Sequence, residues 1–217
     1  MAQVSVDVVL DVVCPWCWLG QRYWAQARAL APDIETETLP RPFQLDATVP
    51  RAGVAYRDYM AKKVGDDASG RWRMMREHLQ AAGPEAGIVF NFDEIETRPN
   101  TLDAHRVIRW ARGQGLGEAA AEGLFKAFFE DRRDIGDRAV LAEIADEAGL
   151  HRDVVTDLLA TDRDAGEVER EEAFYRSLGV AGVPTFIFNG RFAVSGAEDP
   201  QVLADALRTA SEAPPEA

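Results

Sequence analysis

The only two cysteines in 217 residues stand as Cys14-Pro15-Trp16-Cys17, between a strand-like run and a helix-like run. That placement restricts the fold more than any other feature. The preceding residues, Val4-Ser5-Val6-Asp7-Val8-Val9-Leu10-Asp11, are β-branched and partly alternating, as in a strand. After the cysteines, Leu19, Tyr23, Ala27 and Leu30 recur at helical spacing. Pro15 suits a first helical turn, where its missing N–H is no loss, and Pro32 stops the helix. A cysteine pair at a strand-to-helix junction reads as a redox motif. Unpaired backbone N–H groups and the positive end of the helix dipole favour a thiolate on Cys14. A thiolate is the nucleophile of disulfide exchange, so Cys14 is expected to be the exposed, attacking sulfur. Cys17, one turn deeper, is expected to resolve the mixed disulfide.

Two other readings of the pair are weaker. A zinc site needs four ligands, and His78, His105 and His151 have no paired ligand spacing, so no metal is expected. Two inert buried cysteines would not require the junction position or the Pro-Trp insert. The N-terminal stretch has no basic region before its apolar residues, which alternate; it reads as a strand and not as a signal peptide. No apolar run approaches the length of a membrane span. The expected location is the cytoplasm, where cysteines are more often catalytic than structural. A formal net charge of −13 argues against nucleic acid and anionic membranes as partners.

A second extended segment runs from Ile34 to Leu45, with Pro40 and Pro42 marking an edge strand. The texture then becomes helical. Tyr56, Tyr59, Met60 and Val64 keep helical spacing, as do Trp72, Met75 and Leu79 after a turn-like stretch, Gly65 to Gly70. Asn100 reads as the N-cap of a helix through Trp110, with Asp103 as its acidic partner. Further stripes contain Phe125, Phe128 and Phe129, then Leu141 and Ile144, then Val155 and Leu159. Near the C-terminus, Gly182 to Phe188 reads as a strand, Asn189-Gly190 as a two-residue hairpin turn, and Arg191 to Ser195 as the returning strand. A last helix spans Pro200 to Ala210. The expected fold is α/β, a split core carrying a large all-α insertion. Residues 1–47 and 163–212 form the core, 48–162 the insertion, and 213–217 a disordered tail.

The ordered set Cys14-Pro15-Trp16-Cys17-Trp18-Leu19-Gly20, Arg41-Pro42-Phe43-Gln44-Leu45, Pro99 to Arg106, Val183-Pro184-Thr185-Phe186 and Ser195-Gly196-Ala197 resembles the DsbA family of thioredoxin-fold proteins. It is closest to the cytoplasmic FrnE-like branch. The resemblance implies a thioredoxin-like fold interrupted by a helical domain. It implies a cis Val183–Pro184 peptide facing the cysteines, with the Val183 backbone pairing with an extended substrate. It also implies that the turn at Ser195, Gly196 and Ala197 can hold the γ-glutamyl end of glutathione, since helix N-termini favour carboxylates; a plain strand-to-helix turn is an equal reading. Trp16 either tunes the thiols or packs. Asn100 and His105 are candidate cleft contacts, although a cap and a helix-borne histidine are the simpler readings. Asp11 is first a strand-end residue and second an aid to proton movement at Cys17. The phenylalanine stripe is read as core.

The function expected from all this is thiol–disulfide oxidoreduction on a peptide or a small thiol or disulfide. It needs no cofactor, although glutathione or another low-molecular-weight thiol is open as co-substrate. The chain is expected as a monomer or homodimer. Two alternatives remain. One is a glutathione-dependent isomerase or transferase of a small aromatic substrate, like the kappa-class transferases and hydroxychromene-carboxylate isomerases; these tend to lose the second cysteine, which this chain keeps. The other is a holdase-type binding protein, whose activity would survive loss of both cysteines.

Overall fold

The computed structural model describes residues 3–65 and 70–212. Most of the turn expected at 65–70 and the whole expected tail at 213–217 lie outside the described residues. Val4–Leu10 forms β1, an inner strand of a four-stranded sheet. Val4, Val6, Val8 and Leu10 turn toward the main core, while Val9 faces a smaller cluster with Phe43, Tyr175 and Ile187. Cover on both faces is why this strand is richer in valine than a half-exposed strand needs to be. The chain passes directly into α1 (Pro15–Leu30), whose Trp18, Trp24 and Ala27 are buried in the same main core.

β2 (Thr36–Pro42) lies parallel to β1 at the sheet edge, with Pro40 opposite Val8 and Pro42 opposite Leu10. An edge strand tolerates both prolines because its outer side lacks ladder partners. The extended segment expected to reach Leu45 stops as ladder at Pro42. Past Leu10 the β1 chain bends into the cysteine junction, with the Cys14 N–H donating to Asp11 O at 2.9 Å. The N–H groups of Gln44 and Leu45 therefore turn to carboxylates, those of Glu172 (2.9 Å) and Asp11 (2.8 Å).

The insertion contains β3 (Val54–Ala55), α2 (Tyr56–Val64), α3 (Arg71–Ala82), β4 (Thr97–Arg98), α4 (Leu102–Arg112), α5 (Gly117–Phe129), α6 (Arg138–Glu147) and α7 (Arg152–Leu159). It is not all-α as expected. β3 and β4 pair antiparallel, Val54 opposite Arg98, and tie together the two ends of the α2–α3 excursion. Two-residue strands are too short to show a period in sequence. The cap of α4 is also displaced by one position. Thr101 occupies the N-cap without a side-chain bond, while Asn100 Oδ1 accepts the Leu102 N–H at 3.0 Å. Asp103 pairs with Arg51 and Arg106 instead of closing a capping box.

The chain returns to the core through α8 (Ala165–Ser177), β5 (Thr185–Phe188), β6 (Phe192–Ser195) and α9 (Pro200–Glu212). Strand order is β2-β1-β5-β6, with β5 antiparallel to both neighbours. Asn189 and Gly190 take the expected left-handed conformation, φ 50° and 67°. Pairing resumes at Phe192 opposite Phe188, one residue later than expected. α9 packs against α1, and α8 against both β2 and α4. The insertion is fastened to α1 chiefly by Trp18, whose ring stacks on Phe125 and Phe129 and meets Phe90 edge-on. Phe125 and Phe128 are thus core, as expected, while Phe129, equally buried, also reaches the pocket at Cys14. The fold is thioredoxin-like with a largely helical insertion. Among the described residues no helix is long and apolar enough to cross a membrane.

Candidate active site

Cys14 is the N-cap of α1 in an extended conformation, φ −96° and ψ 112°, with Pro15 at the first helical position. Its carbonyl receives the Cys17 N–H at 3.0 Å, which closes the first turn and sets the two cysteines one turn apart. Its Sγ faces the carbonyl of Val183 at 3.8 Å. The Val183–Pro184 peptide is cis, and Pro184 is buried while Val183 is half-buried.

One expectation is corrected here. Cys14 is not exposed on the surface: only 5% of the residue is accessible. It lines a pocket of about 300 Å³ enclosed by Val183, by Trp16 and by side chains of α2 and α3. Side chains of the insertion therefore share a pocket with the cysteine, which is reached from that pocket. Helical spacing marks Tyr56, Tyr59, Met60, Trp72 and Met75 as helix stripes but not as pocket walls. A usable signal was their composition: Tyr, Trp and Met suit half-exposed binding surfaces, where the stripes of α6 and α7 use Leu, Ile and Val. Trp16 lines the pocket and its ring lies 5.3 Å from that of His78.

Cys17 is 1% exposed. Burial, then the adjoining Cys14 thiol, push its pKa far above the ordinary value, against a backbone hydrogen bond from Asp11. Asp11 has no accessible surface at all. Its Oδ2 accepts the Leu45 N–H, and its Oδ1 lies 3.5 Å from His105 Nε2, which is 3.1 Å from the Phe43 carbonyl. A nitrogen facing two acceptors must carry the proton, which fixes the tautomer. Complete burial pushes the Asp11 carboxyl upward, but His105, the Arg98 guanidinium and the Leu45 N–H outweigh it and hold the pKa below the usual carboxylate value. A buried Asp11–His105–Arg98 cluster thus sits behind the redox pair.

His105 is 2% exposed and belongs to that cluster, not to the cleft lining. Asn100 is also placed away from Cys14. It donates to Val49 O at 2.7 Å and lines a separate hollow with Gln44, Arg51 and Arg176. The turn at Ser195, Gly196 and Ala197 lies against Pro184, with the Gly196 N–H donating to Pro184 O at 2.8 Å. Asp199 already accepts the Gln201 N–H at the start of α9, and Glu198 adjoins Gly196. A carboxylate arriving at this turn would meet two acidic side chains, which weakens the turn as an anion site.

Gly20 explains the end of the Cys14–Gly20 motif. A Cβ there would stand 2.9 Å from Pro184 Cγ and 3.5 Å from Phe186 Cζ. The bare backbone lets α1 approach the loop that faces Cys14. Gly20→Ala sets a gain in helix propensity of about 0.5–1 kcal/mol against overpacking of about 1–3 kcal/mol. Because the proline ring cannot swing away, net destabilisation of about 1–2 kcal/mol is expected in urea unfolding. A more stable variant would show that the approach is slack.

Comparison with known proteins agrees with this geometry. A family model described as a DSBA-like thioredoxin domain matches residues 5–208. The uncharacterized protein YwbO of Bacillus subtilis is 27% identical over 212 residues, covering 94% of this chain and 96% of that one. The structure of a probable DsbA oxidoreductase from Streptomyces coelicolor matches with a TM-score of 0.88 at 28% identity, over 99% of this chain and 93% of that one. The cytosolic disulfide reductase DsbM of Pseudomonas aeruginosa, solved with GSH, has a TM-score of 0.67 at 17% identity over 96% and 100%, a likeness of fold. With a family match that runs from within β1 into α9, and with the cysteine pair at the β1–α1 junction, the chain belongs to the DSBA-like thioredoxin domain family.

Proposed function

We propose that the protein is a thiol–disulfide oxidoreductase in which Cys14 attacks a peptide or low-molecular-weight disulfide and Cys17 resolves the product. The observation that carries this is the division of the pair: Cys14 lines a pocket at a helix N-terminus, and Cys17 lies buried one turn behind it. The Cys14 thiolate displaces one half of the substrate as a thiol and forms a mixed disulfide with the other half. The Cys17 thiol then gives up its proton and attacks Cys14 Sγ, releasing the second thiol. The protein ends two electrons oxidised, with a Cys14–Cys17 disulfide, and a low-molecular-weight thiol in a reducing cytoplasm returns it to the dithiol. Val183 offers its backbone beside the attacking sulfur, and Pro184 anchors that backbone. Asp11 assists movement of the Cys17 proton, which a carboxylate held below its usual value passes on to solvent and does not keep.

The test counts thiols in the full chain. Treatment with diamide is expected to remove both thiols together, as read by maleimide mass shifts, and dithiothreitol to restore both. Brief iodoacetamide treatment of the reduced protein is expected to label Cys14 before Cys17. Two thiols that remain free under diamide, or that form only intermolecular bonds, would overturn the proposal.

A further inference from the structure

We infer that the substrate of this dithiol is a small aromatic disulfide bearing an anionic group, bound in the pocket above Cys14. This rests on the oxidoreductase reading and specifies its substrate class. Size comes first. With 5% of Cys14 accessible, the sulfur is approached from a pocket of about 300 Å³. A cavity of about 150 Å³ accepts benzene, so this one accepts a body of one or two rings. It is at the lower end of small-molecule pockets, which start at roughly 300 Å³. A disulfide on a folded protein would have to reach into this pocket, among side chains of α2 and α3, to meet the sulfur.

Wall chemistry is the second observation. Trp16, Tyr56, Tyr59, Trp72, Phe92 and Phe129 present rings to the space, and Met60 and Met75 add thioethers. Such walls complement a flat π-system by edge, stacking and sulfur contacts. Charge is the third. The protein carries 37 acidic residues against 24 Lys and Arg, yet among the described residues those lining this pocket include Lys63 and Arg98 and no carboxylate. Both cations pack on the Tyr59 ring, Lys63 at 5.5 Å and Arg98 at 5.2 Å, and Arg98 is further held by its bond to Pro99 O at 2.7 Å. Asp11 and Asp46 already face Arg98, so the cation this wall offers a ligand is Lys63, which favours an anionic group on the substrate. Glutathione disulfide fits less well. It is aliphatic, and Glu198 and Asp199 occupy the turn where its γ-glutamyl carboxylate would dock.

The reaction is balanced within the pair. Cys14 and Cys17 are oxidised to a disulfide, the aromatic disulfide is reduced to two thiols, and dithiothreitol regenerates the dithiol in the assay. The experiment uses the full reduced chain with five disulfides: bis(4-carboxybenzyl), bis(4-carbamoylbenzyl) and bis(2-hydroxyethyl) disulfides, glutathione disulfide, and a cystine-bridged peptide. Each rate is divided by the rate of the same compound with dithiothreitol, which removes intrinsic reactivity. The carboxybenzyl compound is expected to exceed hydroxyethyl and glutathione disulfides by roughly ten- to a hundredfold, the scale on which an apolar pocket discriminates. The ratio is expected to fall toward one in Trp72→Ala and to recover largely in Trp72→Phe. Lys63→Gln is expected to erase the preference for carboxybenzyl over carbamoylbenzyl. Equal normalised rates, or a preference for glutathione disulfide or the peptide, would sink the inference while leaving the oxidoreductase reading intact. If none of the five oxidises the pair, the oxidoreductase reading itself fails.

Discussion

Cys14→Ser is expected to abolish disulfide turnover, a loss on the order of 10³-fold or more, the scale of removing a nucleophile. Cys17→Ser is expected to keep the first attack and to accumulate a mixed disulfide on Cys14. The asymmetry follows from the site. A serine hydroxyl does not ionise near neutral pH and cannot form the mixed disulfide through which exchange runs. Cys17 cannot take over as nucleophile. It is 1% exposed, is not among the residues lining the pocket, and its pKa lies far above the ordinary value because of burial and then Cys14. Thiol release under single-turnover conditions checks the first variant, and intact mass after substrate addition checks the second. Substantial turnover by Cys14→Ser would show that the attacking sulfur has been misassigned.

The parts of this arrangement that could be read in sequence are those fixed by local rules. A β-branched run, a cysteine pair with proline at the first helical position, and Asn189-Gly190 each have a backbone consequence within a few residues, and β1, α1 and the β5–β6 turn follow from them. The pocket was not legible in the same way. Helical spacing shows which face of α2 and α3 turns inward, not whether that face meets a core or an open space. The pocket at Cys14 is shared by core residues beside it and by insertion residues more than 40 positions away in sequence, such as Tyr59 and Trp72, and no residue near Cys14 encodes that meeting. The β2 end depends on where a different strand bends away. His105 reads as an unremarkable residue of α4 until Asp11, 94 positions earlier, arrives beside it.

Asp11→Asn is expected to lower stability by about 3–5 kcal/mol, the range for breaking a buried charge pair from one side. The substitution keeps the shape and an acceptor for the Leu45 N–H, but removes the buried carboxylate charge that faces Arg98, 4% exposed, and adjoins His105. The pH dependence has a definite sign. Despite the upward push of burial, His105, Arg98 and the Leu45 N–H hold the folded-state pKa of Asp11 below the ordinary carboxylate value. A carboxyl depressed on folding contributes stability that is fully present above the unfolded value, near 4, and is lost as pH falls through the folded value. The gap between wild type and variant is therefore expected to be widest at neutral pH and to narrow below pH about 4, as read by urea unfolding. A second readout separates proton transfer from packing. Release of the second thiol from the Cys14 mixed disulfide is expected to slow by about 10²-fold in the variant, the lower range for loss of a positioned base. That rate is also expected to rise in proportion to hydroxide across neutral pH, because solvent must then take the Cys17 proton directly. An unchanged rate with a flat profile would reduce Asp11 to the anchor of the Leu45 backbone.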